Sequence, residues 1–114
     1  MSQESLKLSE MQRRGSLRLR LEERVQIGQS GKQYCDAVSY DISESGISVK
    51  SHDFIPEKTV VNIILNHSNK PLNLEGIVAW VSGKNSSDQY KMGIKITNPC
   101  GELTNIYEYL LRIT

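Results

Sequence analysis

Residues 17–28 read LRLRLEERVQIG, with Leu17, Leu19, Leu21, Val25 and Ile27 on odd positions and charged residues between most of them. An apolar residue at every second place is the period of a strand with one buried face, because successive side chains of an extended chain point to opposite sides. A helix needs its apolar residues three and four apart. The stretch is therefore a half-buried strand, and the flanking sequence has to supply the sheet it belongs to.

Reading outward, GQSG at 28–31 is a turn, and residues 34–42 form a second strand with Tyr34, Val38, Tyr40 and Ile42 on one parity. The two strands make a hairpin. A short strand follows at 47–50, then a loop containing Pro56, then TVVNIIL at 59–65, whose β-branched residues fit a pleated sheet. NHSNKP at 66–71 is a loop of turn formers, 72–82 is a strand carrying the only tryptophan, Trp80, 83–88 turns again, and 90–97 is the last strand. Asn98-Pro99-Cys100-Gly101 ends the pattern, after which Leu103, Ile106, Tyr107, Leu110 and Leu111 recur at the spacing of an amphipathic helix. The pattern predicts a mainly β fold, a small six-stranded antiparallel β-barrel with one C-terminal α-helix covering a barrel mouth or sheet edge. A chain of 114 residues suits one domain, expected over residues 13–114 after a polar tail at 1–12.

A net charge of +1 argues against generic binding to nucleic acid or to an anionic membrane, which needs a large field of one sign. The even balance hides a local excess. Arg13, Arg14, Arg18, Arg20 and Arg24 crowd into residues 13–24, while the lysines are scattered from Lys7 to Lys95. Arginine presents a planar fork of donors that grips phosphate and stacks on flat rings, so the cluster points to a compact anionic or aromatic ligand. Cys35, Cys100, His52 and His67 lack the spacing of a metal site, and no metal is expected. No signal-like or membrane-spanning apolar run is present, which makes the cytoplasm the expected compartment. No nucleophile with a base, paired carboxylates or Gly-rich phosphate loop stands at a supporting spacing, so a binding module is expected and not an enzyme.

Two short patterns carry more. Arg14-Gly-Ser-Leu-Arg18 is followed, after a spacer of 22 residues, by Asp41-Ile-Ser-Glu-Ser-Gly46. In this order they match RxxxR and [D/N]xSxxG, and the chain resembles the PilZ family; Gly76-Ile-Val-Ala-Trp80 and Gly93-Ile-Lys-Ile96 are similar to that family's later strands, with isoleucine where phenylalanine is commoner. The resemblance covers residues 13–97. It implies the same barrel with a helix, and a receptor for cyclic di-GMP, held by Arg13, Arg14, Arg18, Asp41, Ser43 and Gly46. Arg13 beside Arg14 gives RRxxxR, which in that family goes with an intercalated pair of ligand molecules, so two per chain are expected.

The chemistry of the residues agrees with such a ligand. Arg14 and Arg18 can pair with phosphate oxygens or with guanine O6 and N7. Asp41 and Ser43 can accept from guanine N1–H and the 2-amino group, and Gly46 allows close backbone approach and a positive φ. Plainer readings stand beside these: Asp41 and Ser43 can simply close a turn, Arg20 and Arg24 are strand-face charges opposite Glu22 or Glu23, Trp80 packs in the core or at the barrel rim, and the helix stripe packs on the barrel, with a homodimer left open. The resemblance implies a switch in which the arginine-bearing segment changes conformation on binding and signals to a partner protein controlling motility, pili or exopolysaccharide. The alternative is a PilZ-like interaction module without the ligand.

Overall fold

The computed structural model describes residues 18–98 and 101–113, leaving the expected tail at 1–12, Arg13 and Arg14 outside the described residues. Its strands are β1 (Leu19–Arg20), β2 (Arg24–Gly28), β3 (Cys35–Ile42), β4 (Gly46–Ser51), β5 (Val60–His67), β6 (Lys70–Val81) and β7 (Tyr90–Ile96), followed by helix α1 (Gly101–Ile113). All pairings are antiparallel. Following them round gives β3–β2–β5–β6–β7–β4 and back to β3, a closed barrel of six staves with one helix, as the alternation predicts. Closure gives each of β2–β7 a partner on both sides, while β1 pairs with β3 alone.

The barrel's first stave is in two pieces. β1 and β2 both lie along β3, and between them the register changes by one residue, the Leu21 N–H still donating to the Tyr40 carbonyl and the Ser39 N–H to the Glu23 carbonyl. Ser39 fills the break: its hydroxyl, fully buried, donates to the Leu21 carbonyl at 2.6 Å and accepts the Glu23 N–H at 3.0 Å. Two backbone groups that would otherwise be buried without partners are thereby satisfied. Leu19, Leu21, Val25 and Ile27 keep the odd parity and are all buried, so the period read at residues 17–28 survives the interruption.

The second strand departs from its sequence reading. Ala37 and Ser39 face the core, while Val38 is 44% exposed and Tyr34 is 50% exposed, its ring lying over Gly28. The register slips by one residue between Ser39 and Asp41, a β-bulge, and beyond it the parity reverses so that Ile42 is buried. A second bulge lies in β6 between Val78 and Trp80. Leu72, Leu74 and Val78 point inward with even numbers; after the slip Trp80, also even, points outward. The expected loop at 66–71 is tighter than its composition suggests, since His67 pairs with Lys70 across Ser68 and Asn69, both at positive φ (52° and 63°). That is the geometry of a two-residue hairpin whose twist matches its strands.

The core joins Ile42, Ile47, Val49, Ile55, Ile63, Leu65, Met92 and Ile94, all buried. Helix α1 adds Leu103 and Tyr107 to it, with Ile106, Leu110 and Leu111 partly buried alongside, the stripe expected from spacing. Burial raises the Tyr107 phenol above its ordinary pKa, with the Glu44 carboxylate adding to the effect. No helix among the described residues is long and apolar enough to cross a membrane.

Ser39→Ala removes one donor and one acceptor from a buried junction and should cost about 1–3 kcal/mol. At roughly 4–8 °C per kcal/mol for a domain of this size, the thermal midpoint falls by at least about 4 °C. A melt unchanged by the substitution would show that the hydroxyl is not what holds the broken stave.

Candidate functional site

The order Arg20–Asp41–Ser48–Gly93–Trp80 runs directly across neighbouring strands β1, β3, β4, β7 and β6. Each bulge delivers one member of this row. Without the slip after Ser39, Asp41 would share the inward parity of Ala37 and Ser39; without the slip after Val78, Trp80 would point inward with Leu72 and Leu74. Bulges re-aim side chains in this way, and here both act at one level of the barrel.

Asp41 is met by Arg18, whose Nη1 donates to Oδ1 at 2.9 Å. The pair is half open to solvent, with side-chain exposures of 37% and 21%, so its weight is in orientation more than in stability. This pair engages one nitrogen of the Arg18 guanidinium, a group with several donors. Arg20, by contrast, is largely exposed and pairs with its neighbour Glu22 at 3.0 Å, the strand-face role expected of it.

Arg18, Ser43 and Gly46 line one shallow cavity of about 200 Å³, together with Trp80, Gly93 and Lys95. Three residues singled out from the two sequence patterns are thus brought to one place, and Asp41 is tied to it through Arg18. Ser43 itself is buried, and its N–H donates to the Gly46 carbonyl at 2.9 Å, closing the turn. Closing the turn and lining the cavity are thus compatible for Ser43 and Gly46. Gly46 does not have the positive φ expected of it; among the described glycines only Gly31 does. Its need is space: a Cβ there would lie 2.6 Å from the Ile94 carbonyl oxygen of the adjacent strand.

Two residues of this surface were not assigned to it from sequence. Trp80 is 37% exposed and lies against Gly93, where an added Cβ would fall 2.0 Å from the indole Nε1. The glycine directly opposite in register is the seat for the ring. Ser48, between Asp41 and Gly93, is buried, and its hydroxyl has no partner in hydrogen-bonding geometry among the described residues, although it lies near enough to the Tyr40 phenol to favour that group's ionised form. Burial outweighs this and raises the Tyr40 pKa, Asp41 adding to the rise and Arg18 opposing it. A cue for Trp80 existed in the sequence, in that GxVxW and the GIKI stretch place a bare glycine in the strand next to a large ring, but pairing register was needed to use it.

The sequence matches the family described as PilZ domain over residues 12–111. This chain belongs to the PilZ family. Among curated proteins no relative matches it. Solved structures share its fold: the Bacillus subtilis inhibitor of motility MotI/DgrA (TM-score 0.71, 20% identity, 89% of this chain and 50% of that one) and the PilZ domain of Escherichia coli YcgR with c-di-GMP (TM-score 0.68, 14% identity, 89% and 93%). Borreliella burgdorferi PlzA in complex with c-di-GMP is a third (TM-score 0.63, 14% identity, 96% and 56%). The chain spans about half the length of the Bacillus and Borreliella proteins and nearly all of the Escherichia coli domain. In this PilZ chain, the RxxxR and [D/N]xSxxG patterns are thus represented in the described structure by Arg18, Asp41, Ser43 and Gly46.

Since the chain has a single tryptophan, its fluorescence reports on this surface alone. Gly93→Ala forces the indole off its seat and should shift the emission maximum and its accessibility to iodide quenching; identical spectra would mean that the ring does not rest on Gly93.

Proposed function

We propose that this PilZ chain is a receptor for cyclic di-GMP, bound on the barrel's outer face where Arg18, Asp41, Ser43, Gly46 and Trp80 converge, with Arg13 and Arg14 completing the grip. The observation that carries this reading is the Arg18–Asp41 pair at 2.9 Å beside the cavity lined by Ser43, Gly46 and Trp80. Guanine asks for both kinds of group at once, an arginine for O6 and N7 and a carboxylate for N1–H and the 2-amino group.

The residues present fit the ligand in two further respects. The indole of Trp80 provides a flat face next to the arginine, suited to a purine. Holding Asp41 and Arg18 together before binding fixes both side chains and lowers the ordering cost of the complex. Arg14 and Arg18 serve phosphate or guanine, and Arg13 supports a second, intercalated ligand molecule.

Signalling on this reading follows from the arginine-bearing segment, whose conformation changes as Arg13 and Arg14 engage ligand, altering the surface offered to a partner protein in motility, pilus or exopolysaccharide control. The Bacillus protein that shares the fold is an inhibitor of motility, and the Escherichia coli and Borreliella structures hold c-di-GMP, which supports the assignment by likeness of fold.

Isothermal titration with cyclic di-GMP, with GTP as control, tests the proposal. Binding at micromolar concentration or tighter is expected, with Arg14→Ala and Arg18→Ala each weakening it about 10-fold to 150-fold, the loss of one charge-assisted contact of about 1.5–3 kcal/mol. A ratio near two ligands per chain would support the role given to Arg13. Absence of heat at millimolar ligand would leave a PilZ-like interaction module in its place. Amide exchange across residues 5–20 should slow at saturating ligand; unchanged exchange would remove the conformational step while leaving the binding intact.

A further inference from the structure

A second outer-face row lies further down the same strands. Arg24 on β2 stands opposite Val38 on β3, Val38 opposite Lys50 on β4, and Lys50 opposite Lys91 on β7. At about 4.8 Å between neighbouring strands, three cations fall within roughly 14 Å. Among the described residues no carboxylate lies within ion-pair distance of any of them. Lys50 and Lys91, direct neighbours, both lie over the Tyr40 ring, 5.4 and 5.6 Å from its centre.

Like charges directly opposite each other weaken a sheet, so stability alone does not account for this row. Its middle is also unusual. Val38 is 44% exposed between Arg24 and Lys50, at the mouth of a cavity of about 310 Å³ that Asp36, His52 and Gln89 help to line. Asp36, two residues before Val38 on the same face, is in register with Gln26, not with a cation. The row is three residues along β3 from Asp41, roughly 10 Å. It goes beyond the dinucleotide site and does not rest on it.

We propose that this face docks a partner protein through an acidic segment that carries an apolar side chain, its carboxylates meeting Arg24, Lys50 and Lys91 and its apolar group covering Val38. Charge complementarity selects the acid, and the exposed valine at the centre of the row selects a peptide over a purely ionic polymer. A chain of net charge +1 lacks the broad positive field that nucleic acid or an anionic membrane requires, so the local row reads a local acidic feature. The two lysines reach it preordered over Tyr40, which reduces the side-chain freedom lost on docking.

The test uses a fluorescein-labelled peptide of alternating glutamate and leucine, followed by anisotropy and by amide shifts of the full chain. The peptide is expected to bind with an affinity that falls as salt rises, to shift the amides of Arg24, Val38, Lys50 and Lys91, and to lose at least about tenfold in affinity with Arg24→Glu and Lys50→Glu. Lys70→Glu, on the β5–β6 hairpin, should leave it unchanged. Cyclic di-GMP titrated against the same variants separates the two sites: retained dinucleotide binding with lost peptide binding supports the docking face whatever the fate of the receptor reading. Thermal melts guard the comparison, since Lys50→Glu turns the like-charge pair with Lys91 into an opposite one and should not lower the midpoint. Absence of peptide binding, equal binding by Lys50→Glu, or tighter binding of a single-stranded oligonucleotide or anionic vesicle through this row would overturn the proposal.

Discussion

A strand offers each residue to one face only, and in this closed barrel each of β2–β7 has a partner on both sides, with β1 alone left paired on one side among the described strands. What this chain displays from its strands therefore comes from outward positions, while the inward ones supply a core that only the satisfied Ser39 hydroxyl interrupts on β3. The two bulges are how both demands are met. A slip after Ser39 keeps Ala37 and Ile42 in the core yet frees Asp41, and a slip after Val78 keeps Leu74 and Val78 inside yet frees Trp80. Because Asp41 and Trp80 are separated only by Ser48 and Gly93 in register, two local insertions on different strands converge on a single surface.

That surface works only because the residues between the two bulges are small. Gly93 admits the indole, and Gly46 admits the Ile94 carbonyl; at either position a methyl group would collide at 2.6 Å or less. The break in the first stave belongs to the same design. By taking the Leu21 carbonyl and the Glu23 N–H onto its own hydroxyl, Ser39 lets β1 continue along the far end of β3, where Arg20 pairs with Asp41 in register and Arg18 reaches its carboxylate. An unbroken stave would run on in the register of β2; the break and the bulge at Tyr40 fall side by side on facing strands.

Alternation and turn chemistry were enough to read the barrel, because six staves and a helix stripe are averages over many residues. The motif spacing was enough to gather Arg18, Asp41, Ser43 and Gly46, which sit together as expected of them. The outward turn of Trp80 was not legible, and neither was the exposure of Val38. Each depends on where a period of two is interrupted by one residue, and VAW or VSYD looks the same in sequence with or without that interruption. Gly46 shows the complementary error: a turn-like sequence suggested backbone freedom, whereas what the site needs there is room for a neighbouring strand, a tertiary fact. Arg13 and Arg14 remain sequence assignments, since they lie outside the described residues.

Tyr40 stands at the slip itself, immediately before Asp41, and holds the ammonium groups of Lys50 and Lys91 over its ring. The candidate ligand surface and the cationic row thus share one side chain. A ligand that draws Asp41 from Arg18, or neutralises either, changes the field at the Tyr40 phenol, because Asp41 and Arg18 act on it in opposite senses. Transmission between the two surfaces needs more than proximity: the bulge must have two arrangements that ligand and partner favour unequally. The slip after Ser39 is one of two such points in the barrel, the other lying after Val78. At the first of them Tyr40 has no register partner on β4, while its carbonyl accepts the Leu21 N–H at 3.3 Å, so a shift of Tyr40 relative to Asp41 would leave the core alternation on both sides intact.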